Sequence, residues 1–129
     1  MAHWLLKSEP DVYGYGDLVR DGSTVWDGVT NALAVKHLRA FAAGDAAFFY
    51  LTGKVKAVVG IAAVTAVALD DGVPVVTLAP KRVLKAPVTL AAIKADGSFA
   101  DWELVRISRL SVMPVTAEVW AKVLALATA

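Results

Sequence analysis

Polar side chains set among apolar and aromatic ones are where this chain has the means for chemistry. Lys7 and Ser8 end an apolar run that begins at His3, and the segment Trp26 to Asn31 joins an aromatic ring to acidic and amide groups. Tyr50 lies near the end of an aromatic run, and Arg109 and Ser111 interrupt a further apolar stretch. A few convergent polar groups beside aromatic walls are the usual furniture of a ligand pocket. Signatures of turnover are missing: no nucleophile-and-base set, phosphate-cradling glycine loop or carboxylate dyad has a specific spacing. Gly14 and Gly16 lack the third glycine of a dinucleotide fingerprint, and Asp70-Asp71 reads as a solvated turn. With no cysteine in the chain, thiolate chemistry, disulfides and finger-type zinc sites drop out, and His3 and His37 are too far apart in sequence to suggest a metal site. No metal and no cofactor is expected, and the residues point to binding without catalysis.

Composition narrows the partner. The 129 residues suit one domain spanning the whole chain, and a hydrophobic share of 57%, much of it Ala and Val, describes a compact, folded protein. A net charge of +1 gives no general attraction to phosphate, so nucleic-acid contact has to come from local patches. Lys36 with Arg39, three apart on one helix face, is one candidate for phosphate contact, and Lys81, Arg82 and Lys85 are another; a solvated face is the bland reading of both. The longest apolar run, Val55 to Leu69, is broken by Lys56 and Gly60 and falls short of the roughly 18–20 apolar residues of a membrane span. Lys7, Glu9 and Asp11 precede any signal-peptide core, so a cytoplasmic location without membrane contact is expected.

These residues need a scaffold. His3 to Lys7 reads as a strand stopped by Pro10, Tyr15 to Arg20 as a short helix, and Val25 to Asn31 as an aromatic, glycine-containing loop. Ala32 to Ala43 carries Ala34, Leu38 and Phe41 at helical spacing, with Asn31 placed to cap it. Ala46 to Leu51 reads as a buried strand, and Gly60 within Val55 to Leu69 suggests a bulge or a close backbone approach. Asp70-Asp71-Gly72 makes a hairpin turn to Val73–Val83, which Pro74 and Pro80 confine to an edge or interrupt. Short helices are expected at Leu90 to Lys94 and Ala100 to Leu104. Ile107 to Met113 alternates in a period of two, and Thr116 can cap a last helix with Val119, Trp120, Val123, Leu124 and Leu126 as its apolar stripe. The fold class is mixed α/β of the α+β kind: a small barrel of five to six strands flanked by short helices.

The segments WLLKSEPDVY (Trp4 to Tyr13), WDGVTN (Trp26 to Asn31), the Gly44-Asp45 pair with the aromatic strand ending at Tyr50, and SRLSV (Ser108 to Val112) resemble the EVE domain in order and spacing. That family belongs to the PUA-like group, together with the YTH readers of methylated adenine in RNA, and its members are thought to bind modified bases. The resemblance implies a PUA-like barrel whose partner is a single-stranded or flipped base of DNA or RNA, with Trp26 as a wall of the base cage. Lys7, Ser8, Asn31 and Tyr50 would stand around its mouth, with Arg109 and Ser111 contributed by the last motif. A base face stacked on an aromatic side chain is worth about 1–3 kcal/mol, and its edge is read by hydrogen bonds. The chain departs from the family pattern at Thr30 and Val35, where arginines are usual, at Lys36, where an asparagine is usual, and at Leu51-Thr52, where His-Ser is usual.

Several residues carry a structural reading beside the functional one. Trp26 could pack the loop onto the barrel, Asn31 could serve as a helix cap, and Asp27 could hold its loop through backbone donors. Arg109 divides between a structural ion pair and a ligand contact. Trp4, Trp102 and Trp120 are read as core. The rival function is enzymatic: PUA-like folds include ASCH domains, some resembling amidohydrolases that use a lysine with a nearby hydroxyl and Glu, for which Lys7, Ser8 and Glu9 have the right types. A third reading is a changed pocket that takes a protein or another small molecule. Neither adds evidence for assembly, and a monomer is expected.

Overall fold

The computed structural model describes residues 2–26, 29 and 31–128, so Asp27, Gly28 and Thr30 lie outside the described residues. The elements run β1 (His3–Ser8), α1 (Tyr15–Asp21), β2 (Thr24–Trp26), α2 (Ala32–Arg39), β3 (Ala46–Leu51), β4 (Ala57–Asp70), β5 (Val73–Thr89), α3 (Leu90–Asp96), α4 (Glu103–Arg106), β6 (Val112–Val115) and α5 (Ala117–Thr128). The strands form a six-stranded sheet in the order β2-β5-β4-β3-β1-β6. All neighbours are antiparallel except β1 and β3.

Strand β3 is buried through Tyr50 because it lies between β1 and β4 and is covered on both faces. Adjacent strand residues project to opposite faces, and Phe48 and Phe49 show which elements lie on each. Phe48 stacks on Trp120 of α5 at 3.8 Å between ring centroids. Phe49 meets Tyr15 at 5.5 Å and Trp26 at 5.8 Å, both edge-on. Both phenylalanines are fully buried, a gain of roughly 1.5–3 kcal/mol for each such side chain.

Local chemistry sets the boundaries. Asn31 Oδ1 accepts from the Ala34 amide at 3.0 Å, Thr89 Oγ1 from Ala92 at 3.0 Å and Thr116 Oγ1 from Val119 at 3.1 Å, three side-chain caps at helix starts. Asp71 (φ 50°) and Gly72 (φ 77°) give the β4–β5 hairpin the two left-handed residues of a type I′ turn. Helix α2 stops at Arg39, short of Ala43, because the Ala40 and Phe41 amides turn back to His37 and Leu38 and the Asp45 carboxylate takes the Ala42 amide at 2.9 Å.

Gly60 is a close approach. A Cβ built there would lie 2.5 Å from the Tyr15 ring, and that ring is pinned, its hydroxyl donating to the Ile61 carbonyl at 2.7 Å and accepting from the Arg82 amide at 3.1 Å. The register of β4 against β5 shifts between Val58 and Gly60. Gly60→Ala is therefore expected to destabilise the protein by about 1–3 kcal/mol through overpacking, read as a lower urea midpoint with an unchanged slope.

Several expectations are corrected. The barrel is an open sheet: β2 and β6 are its edges and do not pair with each other, although residues from both ends of the order line one cleft, so the sheet curls without closing. The stretch Val25 to Asn31 is not loop from its start, because Thr24–Trp26 pairs with Val76 to Leu78. The alternating strand Ile107 to Met113 is replaced by a turn in which the Leu110 amide bonds the Ile107 carbonyl, and β6 begins only at Val112. Ser108 is exposed while Leu110 and Val112, expected on the same face, are buried, which breaks the alternation. Strand β5 reaches Thr89, beyond the expected Val83, and Pro74 and Pro80 fall outside its doubly paired residues. Among the described residues no helix is long and apolar enough to cross a membrane.

Candidate functional site

A cleft of about 540 Å³ opens where the curled sheet fails to close. Its polar lining comes from Lys7, Ser8, Glu9, Thr24 and Ser111, and its apolar lining from Val12, Tyr13, Val25, Trp26 and Val29. Two elements shape it. The turn after β1 returns the chain because the Val12 and Tyr13 amides both bond the Glu9 carbonyl, at 3.0 and 2.9 Å. Strand β2 then lays Trp26 against Phe49 and, at 6.5 Å, edge-on to Tyr13. Trp26 is half-buried, and no ring stacks parallel to it among the described residues. Val12 is 74% exposed and Val25 50%, so the mouth carries exposed apolar surface.

Of the residues singled out in the sequence, Lys7, Ser8, Trp26 and Ser111 meet in this cleft. Ser8 Oγ donates to the Tyr13 carbonyl at 2.6 Å, so its proton is committed to the turn while its lone pairs remain. The Ser111 carbonyl accepts from the Lys7 amide at 2.9 Å, which fixes the last motif beside the first. Lys7 lines this cleft at its edge, and its ammonium is directed to the other face of the sheet. It pairs across the sheet with Tyr50, its Nζ lies 5.7 Å from that ring's centroid, and it donates to the Ser108 carbonyl at 2.9 Å. Burial pushes the Lys7 ammonium below the usual lysine value and the Tyr50 hydroxyl above the usual tyrosine value.

The remaining candidates are elsewhere. Tyr50 is buried on the face opposite Phe49 and lines a separate depression with Lys7. Asn31 spends its Oδ1 on the α2 cap and is exposed. Arg109 is exposed on the turn before β6 and lines neither depression. Lys36 and Arg39 are exposed on α2, with Arg39 Nη2 donating to the Gly72 carbonyl at 3.2 Å. Asp27, assigned a loop-holding role, lies outside the described residues. Tyr13 is the aromatic partner of Trp26 that sequence reasoning missed; its position just after a proline turn that must bring the chain back toward Ser8 was the available signal. Among the described residues no group of three or more His, Asp or Glu side chains is placed to hold a metal ion.

Residues 2–126 match the EVE domain family. This chain belongs to the EVE domain family. No curated protein matches it. Among solved structures, this EVE domain is similar to a Rhodopseudomonas palustris protein at 40% identity and a TM-score of 0.94, covering 99% of this chain and 94% of that one. It is also similar to the human THYN1 protein in complex with 5-methylcytosine-containing DNA, at 27% identity and a TM-score of 0.92, covering 100% and 99% of the two chains. An ASCH protein of Zymomonas mobilis, at 13% identity and a TM-score of 0.59 over 97% and 95% of the two chains, shares the fold alone. The EVE assignment accounts for the mixed α/β architecture, and the open sheet is the form the PUA-like fold takes in this chain.

Proposed function

We propose that this EVE domain is a non-catalytic, monomeric nucleic-acid-binding module that receives one nucleobase, single-stranded or flipped, in the cleft beside Trp26. The observation that carries the reading is a half-buried indole with no parallel ring on it, set in a cleft whose rim adds Tyr13, Val12 and Val25. A base presents the flat face that such a wall stacks on, and the polar lining supplies edge contacts. Glu9 is an exposed carboxylate in that lining, able to accept from the exocyclic amine of cytosine, and Ser111 offers a hydroxyl. A methyl group on the base would be taken up by the valines, worth roughly 0.8 kcal/mol for one buried carbon. Support from outside the chain is the similarity to human THYN1, whose structure contains DNA with 5-methylcytosine.

The amidohydrolase alternative finds less support. The Lys7 ammonium is directed to the Ser108 carbonyl, the Ser8 hydroxyl donates on the other side of the strand to Tyr13, and Lys7 and Glu9 form no ion pair among the described residues.

Tryptophan fluorescence tests the reading directly. Trp4 and Trp102 are buried, whereas Trp120, stacked on Phe48 and tilted against His3, is half-buried, so the quenching that reports on Trp26 is the part that Trp26→Ala removes. Titration with short single strands carrying plain cytosine, 5-methylcytosine or methylated adenine is expected to give saturable quenching that depends on the modification. Lack of binding to every strand at low salt would overturn the proposal.

A further inference from the structure

A second depression adjoins the cleft through Lys7. It holds about 250 Å³ and is bounded by the ends of β1 and β3, the turn before β4, helix α3 and the α4–β6 turn. Lys7, Lys56 and Lys94 line it, together with Thr52, Gly53 and Ser108, and none of its lining residues is a carboxylate. The ion pairs among the described residues are those of Arg20 with Asp17 and Asp21 and of Lys122 with Glu118, so the three lysines meet without an anionic partner. For a chain of net charge +1, that is a local concentration of positive charge in a concave site.

The backbone around it is held in place. Lys56 has φ 45°, a left-handed conformation that costs a non-glycine residue energy, and its carbonyl is tied to the Leu90 amide at 2.8 Å. The Thr52 amide bonds the Ser8 carbonyl at 2.9 Å, which joins the end of β3 to the rim of the Trp26 cleft. Lys7 gives one ammonium hydrogen to Ser108 and keeps two for a further acceptor. Its half-buried position disfavours an isolated charge and rewards an anion brought beside it.

We propose that this depression binds a phosphate group of the strand whose base occupies the Trp26 cleft, with Lys56, Lys94 and Lys7 as its cationic ligands. The proposal rests on the base-binding reading and gives the strand a direction over the rim between Ser8 and Thr52. It also places phosphate contact away from α2, where Lys36 and Arg39 are exposed. Such contacts fix register and orientation without reading sequence.

The test separates phosphate from base. The variant Lys56→Gly/Lys94→Ala removes two exposed charges, and glycine suits the left-handed backbone at position 56. Binding of a short single strand containing 5-methylcytosine is measured from low to moderate salt for wild type and variant, beside binding of the uncharged nucleoside 5-methyldeoxycytidine. The variant is expected to show a salt slope shallower by about 1.4, two contacts at roughly 0.7 each, with nucleoside binding unchanged. Equal slopes with normal nucleoside binding would overturn the phosphate site and leave the base cleft standing. Should the nucleoside not bind at all, the base-binding reading fails, and the anion site is judged by amide NMR shifts with inorganic phosphate. Shifts at Thr52, Gly53 and Lys94 that vanish in the double variant would support it, and none in wild type would overturn it.

Discussion

Trp26→Ala is expected to abolish the saturable quenching and weaken binding of a modified single strand about 5- to 150-fold, the equivalent of the roughly 1–3 kcal/mol that one stacked base contributes. The same ring packs on Phe49 and Tyr13, so the substitution also removes fold contacts and lowers the denaturation midpoint. Two features keep the result interpretable. The β2–β5 pairing at Trp26 and Val76 is made by backbone, and Trp26→Phe retains a smaller wall. Binding is expected to follow wild type, then Trp26→Phe, then Trp26→Ala, with near-native circular dichroism throughout. A folded Trp26→Ala protein that binds like wild type would remove the indole from the site.

The largest loss of stability is expected at Asp45. This 5%-exposed carboxylate accepts from Trp4 Nε1 at 3.0 Å, the Ala2 amide at 3.0 Å and the Ala42 amide at 2.9 Å, tying the start of β1 to the turn before β3. Asp45→Ala leaves those donors without an acceptor. At about 1–3 kcal/mol for each buried donor left unpaired, and with Ala2 and Ala42 only partly buried, a loss of roughly 3–5 kcal/mol follows. Asp45→Asn keeps one acceptor oxygen and should fall between. Burial works to raise the carboxyl's pKa, but the hydrogen bonds from Trp4, Ala2 and Ala42 outweigh it and hold the value below 3.8. A depressed folded value means that the contribution is complete above the unfolded value and is lost as pH falls through the folded one. Wild type should therefore lose its advantage over Asp45→Ala on acidification below about pH 4, measured as urea midpoints across pH. A constant difference down to strongly acidic pH would show that the carboxylate charge contributes nothing.

Local sequence determined much of this protein. Asn31, Thr89 and Thr116 have side chains that cap a helix from within one turn, Asp71-Gly72 accommodates the left-handed pair of a hairpin, and the unbroken apolar run of β3 announces a strand covered on both faces. Gly60 signalled a close approach, though not that Tyr15 makes it. The motifs around Lys7, Trp26 and Ser111 were legible as the EVE pattern, and they do meet in one cleft. What only the tertiary structure decided was which face each residue serves. Lys7 follows Tyr50 and leaves the cleft's floor to others because β1 pairs with β3 in a register between residues 43 positions apart, as Ala2 and Asp45 also are. A shift of one residue would reverse those faces, and no local propensity encodes it. Thr24–Trp26 is too short to show a period and becomes a strand only because β5 is there to pair with it. Ile107 to Met113 shows a period of two of which only Val112 and Met113 lie in a strand, since the Leu110 amide turns back to the Ile107 carbonyl before β6 begins. Tyr13 joins Trp26 for the same reason: contacts made by chain reversal and sheet curling depend on long-range pairing, to which a local pattern is blind.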